Sequence, residues 1–339
     1  MEPKEQTMER HVITVFGGSG FIGRHLVRRL AAGGAIIRVA VRDVESASFL
    51  KPMGNPGQIV PFGSDVTDPG LVAVAVDGAE TVINLVGILS EWGRRTFQRL
   101  HVDGPANVAA AARAAGVGRL LHMSALGADK ASASAYARTK ALGEDAVRSA
   151  FPEATIFRPS VVFGPEDRFF NTFAEMARFS PFLPVFGAPP LPRLGPGARL
   201  DVFGRGGPHF QPIYVADVAE AFVRAGQDSS TRGRTYELGG PHVYSFKEIM
   251  ELVSAETRRP RLMAPVPFWL AGIMAWFLEK WPQPMLTRDQ VELLKRDNVV
   301  GAGALTLKDM GIEPAPAEAI LPTYLARYRP PRLSRLPSL

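Results

Sequence analysis

The chain has 339 residues, of which 46% are apolar and 21% are charged, and it contains no cysteine. This length and composition are typical of a globular protein with one large domain or two ordinary ones, so extended disorder is excluded for most of the chain. The absence of cysteine excludes disulfide bonds, thiolate-held iron–sulfur clusters, cysteine-type zinc sites and a thiol nucleophile.

Residues 11–160 alternate between short apolar runs and stretches with helical periodicity. This alternation predicts an α/β fold of the Rossmann type, with a parallel, doubly wound sheet. The pattern predicts strands at 11–16, 36–41, 81–85, 119–123 and 155–158, and helices at 22–32, 105–115 and 135–149.

The alternation ends after Pro159, and residues 180–208 are rich in proline and glycine. A last strand and helix are predicted at 211–225. We therefore expect a smaller, mostly helical second lobe beside the nucleotide-binding domain. The expected division is an N-terminal tail at 1–10, a Rossmann domain at 11–165 completed by about 206–230, a second lobe from 166–205 and 231–325, and a basic Pro/Arg tail at 326–339.

No apolar run reaches the roughly 18–20 residues needed to span a bilayer. Residues 1–10 carry three glutamates and no apolar run, so neither a transmembrane helix nor a secretory signal is expected. A helix predicted from near Pro267 to near Lys280 would be about 21 Å long, short of a hydrocarbon core of about 30 Å. This stretch is rich in aromatic residues, which fits either core packing or a surface that faces a membrane or a partner.

A glycine-rich turn, GGSGFIG, runs from Gly17 to Gly23 directly after the first predicted strand. From Gly18 it fits G-x-G-x-x-G, and from Gly17 it fits the G-x-x-G-x-x-G spacing of short-chain dehydrogenases. Glycine permits the tight turn, the approach of backbone N–H groups to a pyrophosphate, and close packing of helix against strand. No Lys-Ser/Thr pair follows, so a P-loop is excluded. The turn therefore predicts a dinucleotide site.

The end of the second strand indicates which dinucleotide binds. An acid at this position binds the ribose 2′-hydroxyl of NAD, whereas an arginine pairs with the 2′-phosphate of NADP. Arg42 follows the strand, with Arg24 as support, so we expect NADP(H) rather than NAD(H); Asp43 is the competing ribose ligand. Asp65, after the third strand, either contacts the adenine or belongs to a loop that caps the next helix.

Several motifs together resemble the extended and atypical short-chain dehydrogenase/reductases. They are the glycine turn, NLVG at 84–87, YARTK at 136–140 and RPS at 158–160. Three further motifs resemble more narrowly the alpha-subcomplex subunit nine of respiratory complex I, a resemblance that covers about residues 11–325. They are FGPEDRFFN at 163–171, QPIYVADV at 211–218 and LTRDQV at 286–291.

The resemblance implies tight NADP(H) binding and a structural subunit on the peripheral arm near the membrane, outside the electron path. It also implies specific cofactor contacts. These are Gly17, Gly20, Phe21, Ile22 and Gly23 at the phosphates, Arg42 at the 2′-phosphate, Asp65 and Val66 at the adenine, Leu85, Val86 and Gly87 at the end of the fourth strand, and Tyr136, Lys140 and Pro159 near the nicotinamide ribose.

Tyr136 and Lys140 are four residues apart, so both side chains face the same way on a helix. In this chemistry the lysine lowers the pKa of the tyrosine and holds the ribose, while the phenol exchanges a proton with the substrate oxygen. The third catalytic position holds either Ser124 or Ala125, depending on the alignment. We therefore treat cofactor binding and turnover as separate predictions. The six histidines show no ligand spacing with acids, so no metal site is expected.

The net charge of +6 lies in 186–210 and 320–339, and the remainder of the chain is neutral. This distribution excludes a broad nucleic-acid-binding face. The two basic segments either dock on a partner subunit or on anionic headgroups, or they form a solvated basic tail with no partner. The leading hypothesis is an accessory subunit of bacterial complex I, bound to other complex I subunits and peripheral to the cytoplasmic side of the inner membrane. The alternatives are a free NADP-dependent reductase or epimerase using Tyr136 and Lys140, and a regulator that senses NADPH without turnover.

Overall fold

The computed structural model describes residues 11–190, 193–194, 200–282 and 284–331. The described residues up to Arg158, with Ala216–Glu237 and Leu305–Ile312, form one compact unit. Pro159–Val215, Leu238–Ala304 and the described residues from Glu313 onward form a second. The predicted N-terminal tail and residues 332–339 of the predicted basic tail lie outside the described residues.

Strands and helices alternate along the first half of the described chain. The strands are β1 (Val12–Phe16), β2 (Ile36–Val41), β3 (Ile59–Gly63), β4 (Thr81–Asn84), β5 (Arg119–Met123), β6 (Thr155–Pro159), β7 (Val162–Phe163), β8 (Phe182–Phe186), β9 (Arg193–Leu194), β10 (Leu200–Asp201), β11 (His209–Phe210), β12 (Ile213–Tyr214), β13 (Thr235–Leu238), β14 (Tyr244–Ser245) and β15 (Leu262–Val266). The helices are α1 (Phe21–Ala32), α2 (Pro69–Val76), α3 (Gly104–Ala114), α4 (Ala135–Ala150), α5 (Phe169–Phe179), α6 (Val215–Gln227), α7 (Phe246–Glu256), α8 (Phe268–Leu278), α9 (Arg288–Leu293) and α10 (Ala317–Leu325).

The predicted doubly wound parallel sheet is confirmed. Among the described residues it has seven strands in the order β13-β6-β5-β4-β1-β2-β3. The predicted strands and helices of this half agree with the observed ones to within one residue at each end. Ile13, Val15 and Phe16 of β1 are all buried, as expected for a central parallel strand that is covered on both faces.

The order of the strands creates a switch point beside β1. The chain moves outward in one direction through β2 and β3, then returns to place β4 on the other side of β1 and continues through β5 and β6. In such sheets the crevice for a ligand opens at the carboxyl ends of the strands on either side of this point. The glycine turn follows β1, so it lies at the switch point.

The boundary between the units differs from the predicted division because the sheet takes an additional edge strand. The sequence pattern assigns 231–237 to the second lobe, whereas β13 joins the sheet beside β6. Backbone bonds from Ile156 N to Arg234 O and from Ser160 N to Leu238 O run in the same order on both strands, so this pair is parallel. Leu305 belongs to the first unit, where it forms a parallel β-bridge with Tyr236.

The second unit is mostly helical, in agreement with the prediction. It contains α5, α7, α8, α9 and α10, with short strand pairs such as β8 with β15 and β7 with β12. Its core is rich in phenylalanine: Phe163, Phe170 and Phe246 are buried and make ring contacts with neighbouring aromatic residues.

Helix α8 presents many of its large side chains to solvent, while Phe268, Leu270 and Leu278 pack against the core. Ala271 and Ala275 are fully buried, whereas Trp269, Trp276 and Phe277 are 44–61% exposed. Of the aromatic stretch, Phe268 packs against the core, whereas Trp269, Trp276, Phe277 and Trp281 form a surface. Among the described helices, none combines the length and the apolar content that a membrane span requires.

Candidate nucleotide-binding site

The glycine turn is shaped by close backbone packing. Gly17 has φ +78°, and a Cβ there would lie 3.2 Å from the carbonyl carbon of Leu85. A Cβ on Gly23 would lie 2.4 Å from the Gly17 oxygen, a distance that no side chain tolerates. Gly23 thus allows α1 to start directly against the turn, as the predicted close helix–strand packing requires.

The first turn of α1 presents unpaired backbone donors. Gly20 is the N-cap and has no side chain to bond the helix N–H groups, and the first turn contains no acidic residue. The first helical bond in the described structure runs from Arg24 N to Gly20 O, which leaves the N–H groups of Phe21, Ile22 and Gly23 for a ligand. These donors, with the positive end of the helix dipole, suit a pyrophosphate. The residues present therefore fit the phosphates of a dinucleotide.

The residues after β2 differ in how they are engaged. Arg42 is exposed and makes no hydrogen bond or ion pair within the part of the chain that the structure describes. Asp43 Oδ1 accepts from the N–H groups of Glu45 and Ser46, so one of its oxygens caps the following turn. The Arg24 guanidinium lies against the glycine turn, bonds the Gly20 carbonyl and stacks on a neighbouring phenylalanine.

Asp65 and Val66 follow β3 at the same edge of the sheet. Asp65 Oδ1 accepts from both the N–H and the hydroxyl of Thr67, at 2.9 Å each. The Val66 carbonyl accepts from Asn107 Nδ2 at 3.0 Å. The alternative that an acid caps the next helix applies to Asp68, which bonds two N–H groups at the start of α2. Asp65 instead stabilises the loop itself, and its adenine contact stays a prediction.

The segment after β4 lies beside both the glycine turn and α4. Leu85 and Val86 border Gly17, and a Cβ added to Gly87 would lie 3.5 Å from Lys140 Nζ. Asn84 Oδ1 accepts from Val86 N at 3.0 Å and so holds the turn that leads out of the strand. The predicted residues from three separated motifs are therefore close together in this unit.

Lys140 is buried on α4, and its Nζ donates to the Met123 carbonyl at 3.0 Å. Burial lowers the pKa of this lysine to about 8, opposed by the nearby charge of Glu144. Tyr136 is half-buried, with its ring edge-on to His101 at 5.2 Å and to Phe97 at 5.9 Å. Lys140 Nζ and the Tyr136 ring both lie beside His101, so the two side chains face the same way on α4, as the four-residue spacing predicts.

His101 joins the β4 segment to α4, a role that the sequence analysis missed. Its Nε2 accepts from Ile88 N, and its Nδ1 lies 3.1 Å from the Thr139 hydroxyl. Burial, and then the charge of Lys140, lower the pKa of His101 to about 2, so the ring is neutral with its proton on Nδ1. Nothing local in the sequence indicates this role, because the partners come from distant segments.

Ser124 lies at the end of β5, and its hydroxyl donates to Glu144 Oε1 at 2.5 Å. Glu144 is only 1% exposed, and Arg158 also bonds both of its oxygens, at 2.8 and 2.7 Å. The Ser124 hydroxyl is thus part of a buried ion-pair network under α4. The four-residue spacing from Lys140 to Glu144 was a signal that could have identified this acid.

Pro159 is the last residue of β6, so it shares the carboxyl edge of the sheet with the other predicted residues. In the described residues, no group of three or more His, Asp or Glu side chains could hold a metal ion. Backbone donors, one buried lysine and an exposed arginine are groups of the kind that bind an anionic dinucleotide.

Fold and site together define a dinucleotide-binding protein of the short-chain dehydrogenase type. The profile described as NAD dependent epimerase/dehydratase family matches residues 13–239. The chain belongs to this family. Over 322 residues it is 35% identical to NADH dehydrogenase (ubiquinone) 1 alpha subcomplex subunit 9, mitochondrial, of Mus musculus, covering 94% of this chain and 80% of the mouse protein. The predicted resemblance to that complex I subunit is therefore confirmed.

Two further comparisons concern enzymes. The chain is 38% identical over 179 residues to the ceramide reductase of Caulobacter vibrioides, which covers 53% of this chain and 55% of that protein. The structure of the Thermus thermophilus UDP-glucose 4-epimerase in complex with NAD aligns with a TM-score of 0.65 and 21% identity, covering 94% of this chain and 98% of the other. At that identity the structural match shows the fold alone.

Proposed function

We propose that this protein is an NADP(H)-binding accessory subunit of bacterial respiratory complex I, with a structural role. The observation that carries the proposal is the similarity to complex I subunit nine across 94% of the chain. In this proposal the subunit binds other complex I subunits and lies peripherally on the cytoplasmic side of the inner membrane.

The assembly is tested by locating the tagged protein on native gels of detergent-solubilised membranes. We expect it to migrate with NADH dehydrogenase activity and to be retained when that complex is captured through another subunit. A strain without the gene should assemble less of the complex. Migration only as a free protein, with normal complex in the deletion strain, would refute the subunit assignment.

The preference for NADP(H) depends on Arg42. Its exposed and unpaired guanidinium is available for a 2′-phosphate, while Asp43 already uses one carboxylate oxygen to cap the next turn. When bound, the nicotinamide would supply hydride chemistry, and the chain's own residues would hold the phosphates and the ribose. A bound nucleotide would stabilise the fold, because it binds only the folded state.

Arg42→Asp tests this assignment. Loss of a charge-assisted bond to the phosphate should weaken NADPH binding by about tenfold or more, with NADH binding unaffected or improved. The measurement is the Kd of each nucleotide from its fluorescence. Arg113→Asp, an exposed arginine on α3, is the matched control for the charge change. An unchanged ratio of the two Kd values in Arg42→Asp would contradict the proposed 2′-phosphate site.

A second candidate function is a free NADP-dependent reductase or epimerase. Two observations favour it: the chain has Tyr136 and Lys140 four residues apart on α4, and it is similar to a ceramide reductase. Against it, the Ser124 hydroxyl that would polarise a substrate oxygen is bonded to Glu144. Tyr136→Phe separates the two functions: loss of NADPH oxidation with a carbonyl or quinone panel would support an enzyme. Normal respiration and equal NADPH retention in this variant, with no turnover by the wild type, would support the accessory role.

The proposal includes contact of the second unit with the membrane surface. Helix α8 supports it, because Trp269, Trp276 and Phe277 are exposed around a helix of only eleven residues, and the Lys280 amine lies 3.8 Å from the Trp276 ring centre. Exposed tryptophan and phenylalanine with a flanking lysine are typical of surfaces that lie in the membrane interface. Loss of vesicle binding by a Trp269→Ser, Trp276→Ser variant would support this role for α8.

A further inference from the structure

The carboxyl end of α7 carries a run of basic residues, Arg258-Arg259-Pro260-Arg261. Arg258 is exposed and has φ +53°, the one positive φ of a non-glycine residue in the described chain. This left-handed conformation terminates the helix and is normally taken by glycine, because a Cβ is crowded there. An arginine therefore occupies a position where glycine would have less backbone strain.

Arg258 and Arg261 line an open groove with a volume of about 740 Å³. Its other walls include apolar side chains, among them Leu262. Leu262 is 66% exposed and pairs in register with Phe182 of β8, which is 50% exposed. Phe179, at the end of α5, is 76% exposed. Leu262 is thus exposed on the groove that Arg258 and Arg261 line, and Phe179 lies beside Arg178, whose guanidinium is 5.3 Å from its ring centre.

Within the described residues, no carboxylate forms an ion pair with Arg258, Arg259 or Arg261, although Glu251 also lines the groove. The two acids nearest in sequence on α7 already have partners: Glu251 pairs with Lys247 at 2.5 Å, and Glu256 pairs with Arg329 at 3.2 Å. Arg259 donates from Nε to the Tyr328 carbonyl, and Arg261 donates from Nε to the Ala177 carbonyl. Backbone carbonyls position these two guanidinium groups without cancelling their charge.

The end of the described chain reaches the same place. Arg329 donates to the carbonyl of Glu256 and to its carboxylate, which attaches residues 328–331 to the end of α7. The sequence continues directly with Arg332. Arg329 and the basic run at 258–261, separated by about 70 positions, are therefore neighbours at this helix end.

We propose that this surface, defined by Phe179, Phe182, Arg258, Arg261 and Leu262, docks on the anionic phospholipid headgroups of a bilayer. Arginines that retain their charge attract anionic headgroups, and exposed phenylalanine and leucine beside them enter the interface, so both features of the surface are used. The inference rests on the membrane contact in the proposed function and names the chemistry and the residues of that contact.

The test uses the full chain and vesicles of phosphatidylcholine, either alone or with one third phosphatidylglycerol. Arg258→Gly removes one charge and relieves the backbone strain, so it should fold at least as well as the wild type. We expect it to bind the phosphatidylglycerol vesicles about fivefold more weakly, the value of one basic residue at such a surface. Adding Leu262→Gln should weaken binding further. Arg113→Ser on α3 is the control and should leave binding unchanged.

The outcomes distinguish this inference from the wider proposal. If the wild type binds the phosphatidylglycerol vesicles and both Arg258→Gly and Arg258→Gly/Leu262→Gln bind them equally well, the inference is overturned while the α8 contact stays in place. Equal binding to both kinds of vesicle, or binding insensitive to salt, would also overturn it, since attraction to anionic headgroups is screened by salt. Binding to neither vesicle, with capture by an acidic protein surface instead, would assign the groove to a protein partner. The native-gel result decides the subunit assignment independently.

Discussion

Acid should destabilise this protein through two buried neutral histidines. Burial, followed by the charge of Lys140, lowers the pKa of His101 to about 2, and burial together with Lys140 and Arg148 lowers the pKa of His122 to about 3. In the unfolded chain both titrate near 6.5. The unfolded state thus binds more protons than the folded state below pH 6.5, so the free energy of unfolding falls as the pH falls through that value towards the folded pKa values.

The size of the effect follows from these values. For a single histidine, lowering the pH from 7 to 5 decreases the free energy of unfolding by about 2 kcal/mol, because the proton binds the unfolded but not the folded form. The two histidines together cost about 4 kcal/mol, a large part of the 5–15 kcal/mol that stabilises a typical domain. His122 is 1% exposed with no partner for Nδ1 in the described structure, so no acceptor there stabilises a second proton on the ring.

The assay is urea unfolding of the nucleotide-free protein at pH 5, 6 and 7, with His122→Leu as the test variant. That variant should lose about half of the decrease between pH 7 and pH 5, because only His101 still contributes. His242→Gln, at an exposed position, is the control and should behave as the wild type. A decrease of equal size in His122→Leu, or imidazole resonances of His122 that titrate near pH 6.5 in the folded protein, would refute the reasoning.

Two further predictions concern packing and charge. Gly23→Ala should abolish nucleotide binding and destabilise the fold by about 1–3 kcal/mol, because the added Cβ has no room. Gly226→Ala in α6 is the control: nothing lies within 4 Å of its added Cβ, so it should stabilise the fold by about 0.5–1 kcal/mol. Nucleotide titration and thermal melting check both variants, and equal effects would contradict the close packing at Gly23. Glu144→Gln should lower the free energy of unfolding by about 3 kcal/mol, because Arg158 loses its buried partner. Arg148→Met, at a partly exposed site, should lower it by less than about 1 kcal/mol. Similar decreases for the two variants in urea unfolding would argue against a buried network.

The amino-acid sequence by itself determined most of the elements from Val12 to Pro159 and the position of the glycine turn after the first strand. Strand and helix periodicities are local, so five strands and three helices between Val12 and Pro159 could be assigned to within one residue, whereas β3 and α2 received no bounds. Glycines at fixed spacing after the first strand also identify a dinucleotide turn, because the requirement for absent Cβ atoms acts within seven residues. The pairing of Tyr136 with Lys140 follows in the same way from the helical repeat.

Only the tertiary structure decided what each of these side chains touches. The Ser124 hydroxyl bonds Glu144 rather than facing an open site, and His101 is placed by Ile88 and Thr139, partners that lie 13 and 38 positions away. Periodicity cannot predict such contacts, because they depend on how separate elements pack.

The surface features of the second unit were decided in the same way. Trp269, Trp276 and Phe277 of α8 point outward because its two alanines occupy the core. Arg259 meets residues 328–329 because it bonds the Tyr328 carbonyl and Arg329 binds Glu256. A residue's local pattern determines the element that it forms. The long-range packing of that element determines whether the side chain is buried, paired or free for a partner, since burial depends on surfaces contributed by residues far along the chain.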